Sequence, residues 1–151
     1  MIETNFPEMI IFIGIPASGK STFYRQNFAE THVCVSLDIL RTRFQEGKLL
    51  GELLSAGKSC VIDNTNVALA ERKKYIDAAK THGYKIIGYY FRSTIDECRI
   101  RNNARERQVP EIALRNKAAH LEQPSKSEGF DELYYVSICE NQFNVNQFKE
   151  L

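Results

Sequence analysis

The chain has 151 residues, of which 43% are hydrophobic and 26% are charged, and its formal net charge at pH 7 is +1. This length and composition are typical of one soluble globular domain with a complete core. The near-neutral charge gives no support for nucleic-acid binding, and no apolar stretch is long enough to cross a bilayer. We therefore expect a cytoplasmic protein, and the sequence leaves its oligomeric state open.

Short apolar runs alternate with longer amphipathic stretches, a pattern that predicts an α/β fold with a parallel sheet. The predicted strands cover residues 9–14, 32–36, 59–63, 84–91 and 133–138, and the predicted helices cover residues 20–29, 38–56, 68–82, 94–106 and 110–120. Residues 121–131 are predicted to form a loop, and the polar tail from Glu140 a docked or frayed terminus. Because ligands of such sheets bind at the carboxyl ends of the strands, residues that follow strands are the candidates for a site.

The first predicted strand leads into residues 14–21, Gly-Ile-Pro-Ala-Ser-Gly-Lys-Ser, here called the phosphate loop. This segment fits the pattern G-x-x-x-x-G-K-[ST], in which backbone N–H groups cradle the phosphates of a nucleoside triphosphate. In that pattern Lys20 contacts the β- and γ-phosphates, and the Ser21 hydroxyl is a Mg²⁺ ligand. The predicted nucleotide-binding residues here are Gly14, Ala17, Ser18, Gly19, Lys20, Ser21 and Thr22.

Asp38 follows the second predicted strand, where a carboxylate is placed to accept the proton of an attacking hydroxyl. Arg41 lies one helical turn later in the predicted helix 38–56 and would share the face of Asp38. There it could pair with an anionic acceptor. Capping of the helix is the alternative role for Asp38, and the two roles are compatible.

Asp63 follows the third predicted strand, as a Walker-B-type acid would, and could hold a magnesium ion through a bound water. Residues 64–66, Asn-Thr-Asn, offer short polar groups on the acceptor side, with Asn66 as the candidate for acceptor contact. Their alternative role is to cap the helix that begins near residue 68.

A basic stretch covers residues 99–107, and its Arg101 and Arg105 are four residues apart. These two side chains therefore share one helical face, just before the pair Val109-Pro110. We predict a lid over residues 99–110 that brings positive charge to the transferred phosphate. A solvated helical face is the alternative reading of such a charge run.

Four segments together resemble the kinase domain of the polynucleotide 5′-kinase family, the phage and animal end-healing enzymes. In chain order they are the phosphate loop with Thr22, Asp38 with Arg41, the Asp-Asn-Thr-Asn of residues 63–66, and the Arg-Asn-x-x-Arg of residues 101–105 before Val109-Pro110. Residues 124–130 are also similar to the animal enzymes. The resemblance extends over residues 9–138, nearly the whole chain.

The resemblance implies a single kinase domain over residues 1–151 with the fold of a P-loop NTPase or kinase. That fold is a three-layer α/β sandwich with a central parallel sheet of about five strands and a helical lid that carries arginines. The implied cofactors are ATP and Mg²⁺, and the implied substrate is the 5′-OH end of RNA or DNA. Separate phosphatase or ligase repair proteins are the implied partners.

The resemblance also implies roles for individual residues. The implied catalytic residues are Lys20, Asp38 and Arg105. Arg101 and Arg105 are implied to bind the donor nucleotide, and the acceptor is implied to be bound by Asp38, Arg41 and Asn66. Ser21 is implied to hold the metal directly and Asp63 to hold it through water. One departure is Leu37, because the family commonly has arginine directly before the catalytic aspartate. This departure concerns recognition of the acceptor.

Two other functions stay open at this stage. One is a kinase of the same architecture that phosphorylates a small-molecule hydroxyl, such as that of a nucleoside, a sugar acid or an antibiotic. The other is a nucleotide-binding module without enzymatic activity. Against the second, the chain has neither an Asn-Lys-x-Asp guanine reader nor an Asp-x-x-Gly switch sequence.

Overall fold

The computed structural model describes residues 6–149, which form a six-stranded sheet flanked by helices. The strands are β1 (Glu8–Ile13), β2 (Val33–Val35), β3 (Cys60–Ile62), β4 (Lys85–Phe91), β5 (Glu132–Cys139) and β6 (Gln142–Gln147). They lie in the order β2-β3-β1-β4-β5-β6, and β1 to β5 run parallel to one another. The predicted α/β class is confirmed.

The helices are α1 (Lys20–Asn27), α2 (Leu37–Leu40), α3 (Arg43–Ala56), α4 (Leu69–Thr81), α5 (Ile95–Asn103) and α6 (Glu111–His120). A short 3₁₀ turn, Lys126–Glu128, lies inside the predicted loop 121–131. Within residues 6–149, the model contains no helix with both the length and the apolar character required to span a membrane.

Strand β1 is central and buried on both faces, because consecutive apolar side chains of a strand point to opposite sides. Met9, Ile11 and Ile13 pack in one core with residues of α3 and α4, among them Leu53 and Ile76. The intervening side chains pack in a second core with Phe23 of α1. Helices thus cover both faces of the sheet, and the predicted three-layer arrangement is confirmed.

The predicted helix 38–56 is instead two helices, because the chain turns sharply between α2 and α3. Arg41 adopts a left-handed conformation with φ 71°, which ends α2 at Leu40. Thr42 then caps α3 by accepting a hydrogen bond at its side chain from the backbone N–H of Gln45. This break changes which side chains share a face with Asp38.

The sheet has six strands rather than about five, because the chain beyond Glu140 forms β6 instead of a frayed end. Glu140 and Asn141 both have positive φ, which makes the tight turn that pairs β6 antiparallel with β5. Phe143 of β6 packs edge-on against Phe23, with ring centroids 5.1 Å apart. An alternating polar and apolar strand of this kind has too few apolar residues to stand out as a strand in the sequence.

A buried ion pair joins α4 to the 3₁₀ turn. Arg72 is fully buried, donates from Nε to Glu128 Oε1 at 2.8 Å, and donates from Nη1 to the carbonyls of Asn66 and Val67. Glu128 also accepts from the backbone N–H of Ser125. This cluster fixes the polypeptide that follows β3, which carries the Asp-Asn-Thr-Asn segment.

We predict that Arg72→Met lowers the free energy of unfolding by about 3–5 kcal/mol, because it leaves the Glu128 carboxylate buried without its cation. The matched control is the neighbouring Lys73→Gln, which breaks an exposed pair with Asp77 and should change the same quantity by less than about 1 kcal/mol. Urea unfolding of the two variants beside the wild type measures both. Equal stability of the two variants would contradict a structural role for this pair.

Candidate active site

A cavity of about 620 Å³ lies where the strands β1, β2 and β3 end. It is within the size range of pockets that bind small molecules. Six basic and three acidic side chains are among the residues that line it, so its wall is suited to a polyanion. These charged residues are Lys20, Arg25, Arg43, Arg101, Arg105, Lys117, Asp38, Asp63 and Glu71.

The phosphate loop connects β1 to α1 and forms one wall of this cavity, together with Thr22 at the start of α1. Its Ala17 and Gly19 have positive φ of 65° and 101°, and both line the cavity. Gly14 is at the base of the loop, where an added Cβ would lie 2.7 Å from Ser18 Oγ. At Gly19 an added Cβ would lie 3.0 Å from side chains of β5 and β6, and the φ of 101° already strains any residue other than glycine there.

Lys20 places its ammonium group inside the curl of the phosphate loop. Its Nζ donates to the carbonyls of Gly14 at 3.0 Å and Ile15 at 2.9 Å, and to Ser18 Oγ at 3.4 Å. Burial lowers the pKa of Lys20 to about 8, although the carboxylates of Asp63 and Asp38 offset part of this effect. The Lys20 pKa is also lowered by the charge of Arg105.

Ser21 and Asp63 meet directly across the cavity floor. Ser21 Oγ donates to Asp63 Oδ2 at 2.9 Å, and the Asp63 side chain is buried. Burial raises the pKa of Asp63, while the charge of Lys20 and the hydrogen bond from Ser21 counteract part of the increase. A hydroxyl beside a carboxylate is an oxygen donor set that fits Mg²⁺. Ser21 would hold the ion directly and Asp63 would hold it through water.

Asp38 lies on the opposite wall, in α2, and its position is fixed by a hydrogen-bond network under the helix. Asn64 Oδ1 accepts from the backbone N–H of Leu37 at 2.9 Å, and Asn64 Nδ2 donates to Glu46 Oε2 at 2.8 Å. The buried Glu46 also accepts from the Tyr75 hydroxyl at 2.6 Å. The sequence predicts that residues 64–66 offer polar groups on the acceptor side. In the structure the Asn64 side chain instead holds the backbone directly before Asp38.

The predicted lid corresponds to the end of α5 and the connection to α6, and it brings Arg101 and Arg105 to the cavity. Arg101 Nη1 donates to the carbonyl of Ala17 at 3.1 Å, which joins the lid to the phosphate loop. The buried Asn102 exchanges two hydrogen bonds with the backbone of Val109, at 2.8 and 2.9 Å, and so closes the lid connection. Arg105 is exposed at the cavity rim.

Two predicted acceptor-binding residues are not among those that line the cavity. Arg41 occupies the left-handed turn between α2 and α3, so it is not one helical turn from Asp38 on a common face. The Asn66 side chain is buried and donates to the carbonyl of Phe12 at 2.7 Å. Asn66 therefore ties β1 to the polypeptide after β3, and we do not assign it to the acceptor.

Arg43 lines the cavity and was missed by the sequence analysis. A continuous helix 38–56 would have placed it five residues from Asp38, on a different face. The break at Arg41 redirects the chain, so the first turn of α3 reaches the cavity. The signal in the sequence is Thr42, a favourable N-cap residue with an acidic residue four positions later.

Comparison with known proteins identifies similar chains. A family model described as "AAA domain" matches residues 9–124. A bifunctional polynucleotide phosphatase/kinase of Schizosaccharomyces pombe is 34% identical over 140 residues, which cover 89% of this chain and 34% of that protein. A protein of Acanthamoeba polyphaga mimivirus is 33% identical over 143 residues, covering 87% of this chain and 33% of its own length. The chain thus spans about a third of the length of these curated relatives.

Among solved structures, one of AvrRxo1-ORF1:-ORF2 with ATP superposes with a TM-score of 0.76 at 14% identity, covering 94% of this chain and 58% of that chain. Such low identity speaks for the fold alone. The resemblance to polynucleotide kinases and the predicted kinase-like fold are confirmed by these comparisons together, and the fold implies nucleotide binding.

The pKa of Lys20 leads to a prediction about nucleotide binding. At roughly pH 9 most Lys20 side chains of the free protein are neutral, and a bound polyphosphate would raise their pKa, so binding should take up a proton. At about pH 7 Lys20 is already charged, and this uptake should nearly disappear. Calorimetry of MgATP binding in buffers of different ionisation enthalpy measures the uptake.

The control for this experiment is Lys20→Arg, whose guanidinium stays charged at both pH values and should show no uptake. Uptake by the variant equal to that of the wild type would show that another group binds the proton.

Proposed function

The chain belongs to the AAA domain family, and we propose that it is an ATP-dependent kinase that transfers the γ-phosphate to the 5′-hydroxyl end of RNA or DNA. One observation carries this proposal. Asp38 of α2, the phosphate loop and the lid residues Arg101 and Arg105 all line the same cavity. The polynucleotide phosphatase/kinase relative supports the choice of acceptor.

The donor side of the cavity is suited to binding a triphosphate. The phosphate loop supplies backbone N–H groups, and Lys20 supplies a buried charge within the curl of the loop. Arg101, already joined to the loop at Ala17, supports the donor phosphates. When bound at Ser21, and at Asp63 through water, Mg²⁺ would neutralise charge on the β- and γ-phosphates.

Asp38 is the general base of the proposed reaction. It accepts the proton of the 5′-hydroxyl as the oxygen of that hydroxyl forms a bond to the γ-phosphorus. The bond between the γ-phosphorus and the bridging oxygen breaks at the same centre, and ADP leaves with that oxygen. Asn64 holds the backbone of Leu37 and so fixes the direction from which Asp38 approaches.

Arg105 acts on the transferred phosphate. It is exposed at the cavity rim, and its charge reaches Lys20 closely enough to lower the Lys20 pKa. An arginine that approaches the phosphate from the lid stabilises the charge spread over its oxygens in the transition state. The lid connection closed by Asn102 keeps this arginine near the rim.

The first test of this proposal is Asp38→Asn, which keeps the shape of the side chain but removes its basicity. We expect transfer to a 5′-OH oligonucleotide to fall by about 10²–10⁴-fold, with MgATP affinity unchanged. Phosphate transfer from γ-labelled ATP measures the first quantity and calorimetry the second. Nearly full activity of the variant would disprove the assignment of the base.

The second test is Arg105→Gln, which removes a charge that is needed most in the transition state. The kcat should fall by about 10³-fold or more, while the KM values for ATP and for the acceptor change little. Arg99→Gln is the matched control, because Arg99 pairs with Asp96 of α5 and Glu111 of α6 rather than facing the cavity, and its loss should leave kcat nearly unchanged. An increase in KM with kcat unchanged would instead mean that Arg105 binds the ground state and the transition state equally well.

A further inference from the structure

The first turn of α3 carries a basic residue that lines the cavity, Arg43, and directly after it an exposed aromatic residue, Phe44. Arg43 lines the cavity, and its Nη1 donates to Glu46 Oε1 and to the Tyr75 hydroxyl, each at 3.0 Å. About half of the Arg43 side chain is exposed, whereas Glu46 is 4% exposed. Arg43 is therefore held from behind by buried partners while its outer part faces solvent and the cavity.

The network behind Arg43 also positions the proposed base. Asn64 bonds both to the backbone of Leu37, which precedes Asp38, and to Glu46, which holds Arg43. Burial alone would raise the pKa of Glu46, but hydrogen bonds from Tyr75 and Asn64 and the charge of Arg43 lower it. Glu46 thus stays ionised at neutral pH, and the network keeps Arg43 and Asp38 in a fixed relation.

Phe44 follows Arg43 and is 75% exposed, and Ile39, which follows Asp38, is 69% exposed. Neither residue is among those that line the cavity, whereas Asp38 and Arg43, which directly precede them, line it. Exposure of a large apolar side chain to water costs free energy, and a ligand that covers the side chain recovers that cost. A flat aromatic surface beside an arginine matches the base and phosphate of a nucleotide.

We propose that Arg43 and Phe44 recognise the acceptor strand beyond its reacting nucleotide: Arg43 binds the first phosphodiester, and Phe44 stacks on the base of the second nucleotide. This inference rests on the proposed function and specifies its acceptor as single-stranded nucleic acid. We assign the first phosphate to Arg43 because Arg43 lines the cavity. We assign the second base to Phe44 because Phe44 directly follows Arg43 and is not among the residues that line the cavity.

This assignment supplies a positive charge for the acceptor in a chain that has the uncharged Leu37 directly before Asp38. No charge is available from the side chain at that position, and Arg41, in the left-handed turn between α2 and α3, is not among the residues that line the cavity. Arg43 lines the cavity and shares the network of Asn64 and Glu46 with the backbone directly before Asp38. A guanidinium binds a phosphodiester through two N–H groups in a plane, and charge-assisted bonds of this kind are strong.

The experiment compares two acceptors, one of which ends at the first phosphate and one of which continues beyond it. A nucleoside 3′-monophosphate has the 5′-hydroxyl and the first phosphate, and a trinucleotide has both and further bases. Steady-state kinetics with γ-labelled ATP are measured for Arg43→Gln and Phe44→Ala. Arg41→Gln tests the alternative arginine, and Phe6→Ala is the control for loss of an exposed aromatic side chain, because Phe6 is 66% exposed and does not line the cavity.

For Arg43→Gln we expect the acceptor KM to rise about tenfold or more with both acceptors, because both carry the first phosphate. For Phe44→Ala we expect a rise of about tenfold with the trinucleotide and none with the monophosphate. The KM for ATP should stay unchanged in both variants, and Arg41→Gln and Phe6→Ala should behave like the wild type.

Several outcomes would overturn the inference. They are an unchanged acceptor KM for Arg43→Gln, a Phe44→Ala effect of equal size with both acceptors, and an effect of Arg41→Gln in place of Arg43→Gln. Thermal unfolding and recovery of the acceptor KM by Arg43→Lys separate lost charge from misfolding. A wild type that phosphorylates neither acceptor but binds ATP would disprove the proposed function itself, which is a distinct result.

Discussion

The buried ammonium group of Lys20 is the interaction on which the rest of the site depends. A charge removed from water must be compensated by nearby polar groups. Here the carbonyls of Gly14 and Ile15 accept its hydrogen bonds, and Asp63 supplies an opposite charge. The curl of the phosphate loop, with its two glycines, is the backbone geometry that brings those carbonyls to one point. The same concentration of charge makes the loop a binding site for phosphates.

The two walls of the cavity are built by different means. The donor wall consists of backbone and of side chains bonded to it, with Arg101 attached to Ala17 and Asn102 closing the lid connection. The wall that contains Asp38 and Arg43 instead depends on side chains. Hydrogen bonds of Glu46, Asn64 and Tyr75 hold this part of the chain in place. Under the proposed function, a short local motif encodes recognition of the donor, and contacts between distant parts of the chain encode recognition of the acceptor.

This difference explains what the sequence could predict. The phosphate loop and the acids after β2 and β3 follow from strand ends and local spacing, and the structure brings Lys20, Asp38 and Asp63 to one cavity. The position of Arg41 could not be predicted in the same way, because a single left-handed residue divides one predicted helix into two. Strand β6 was missed because its pairing with β5 and the contact of Phe143 with Phe23 supply what its own sequence lacks.

In the proposed function, the cavity binds a nucleoside triphosphate next to the 5′-hydroxyl end of a polynucleotide, and only the γ-phosphate is transferred. The most direct measurement is competition for γ-labelled phosphate between a 5′-OH oligonucleotide and an excess of small hydroxyl compounds, with a 5′-phosphorylated oligonucleotide as the blocked control. We expect label at the 5′ end of the unblocked oligonucleotide alone. Label on a small compound in preference to the oligonucleotide would contradict it and would indicate a small-molecule kinase.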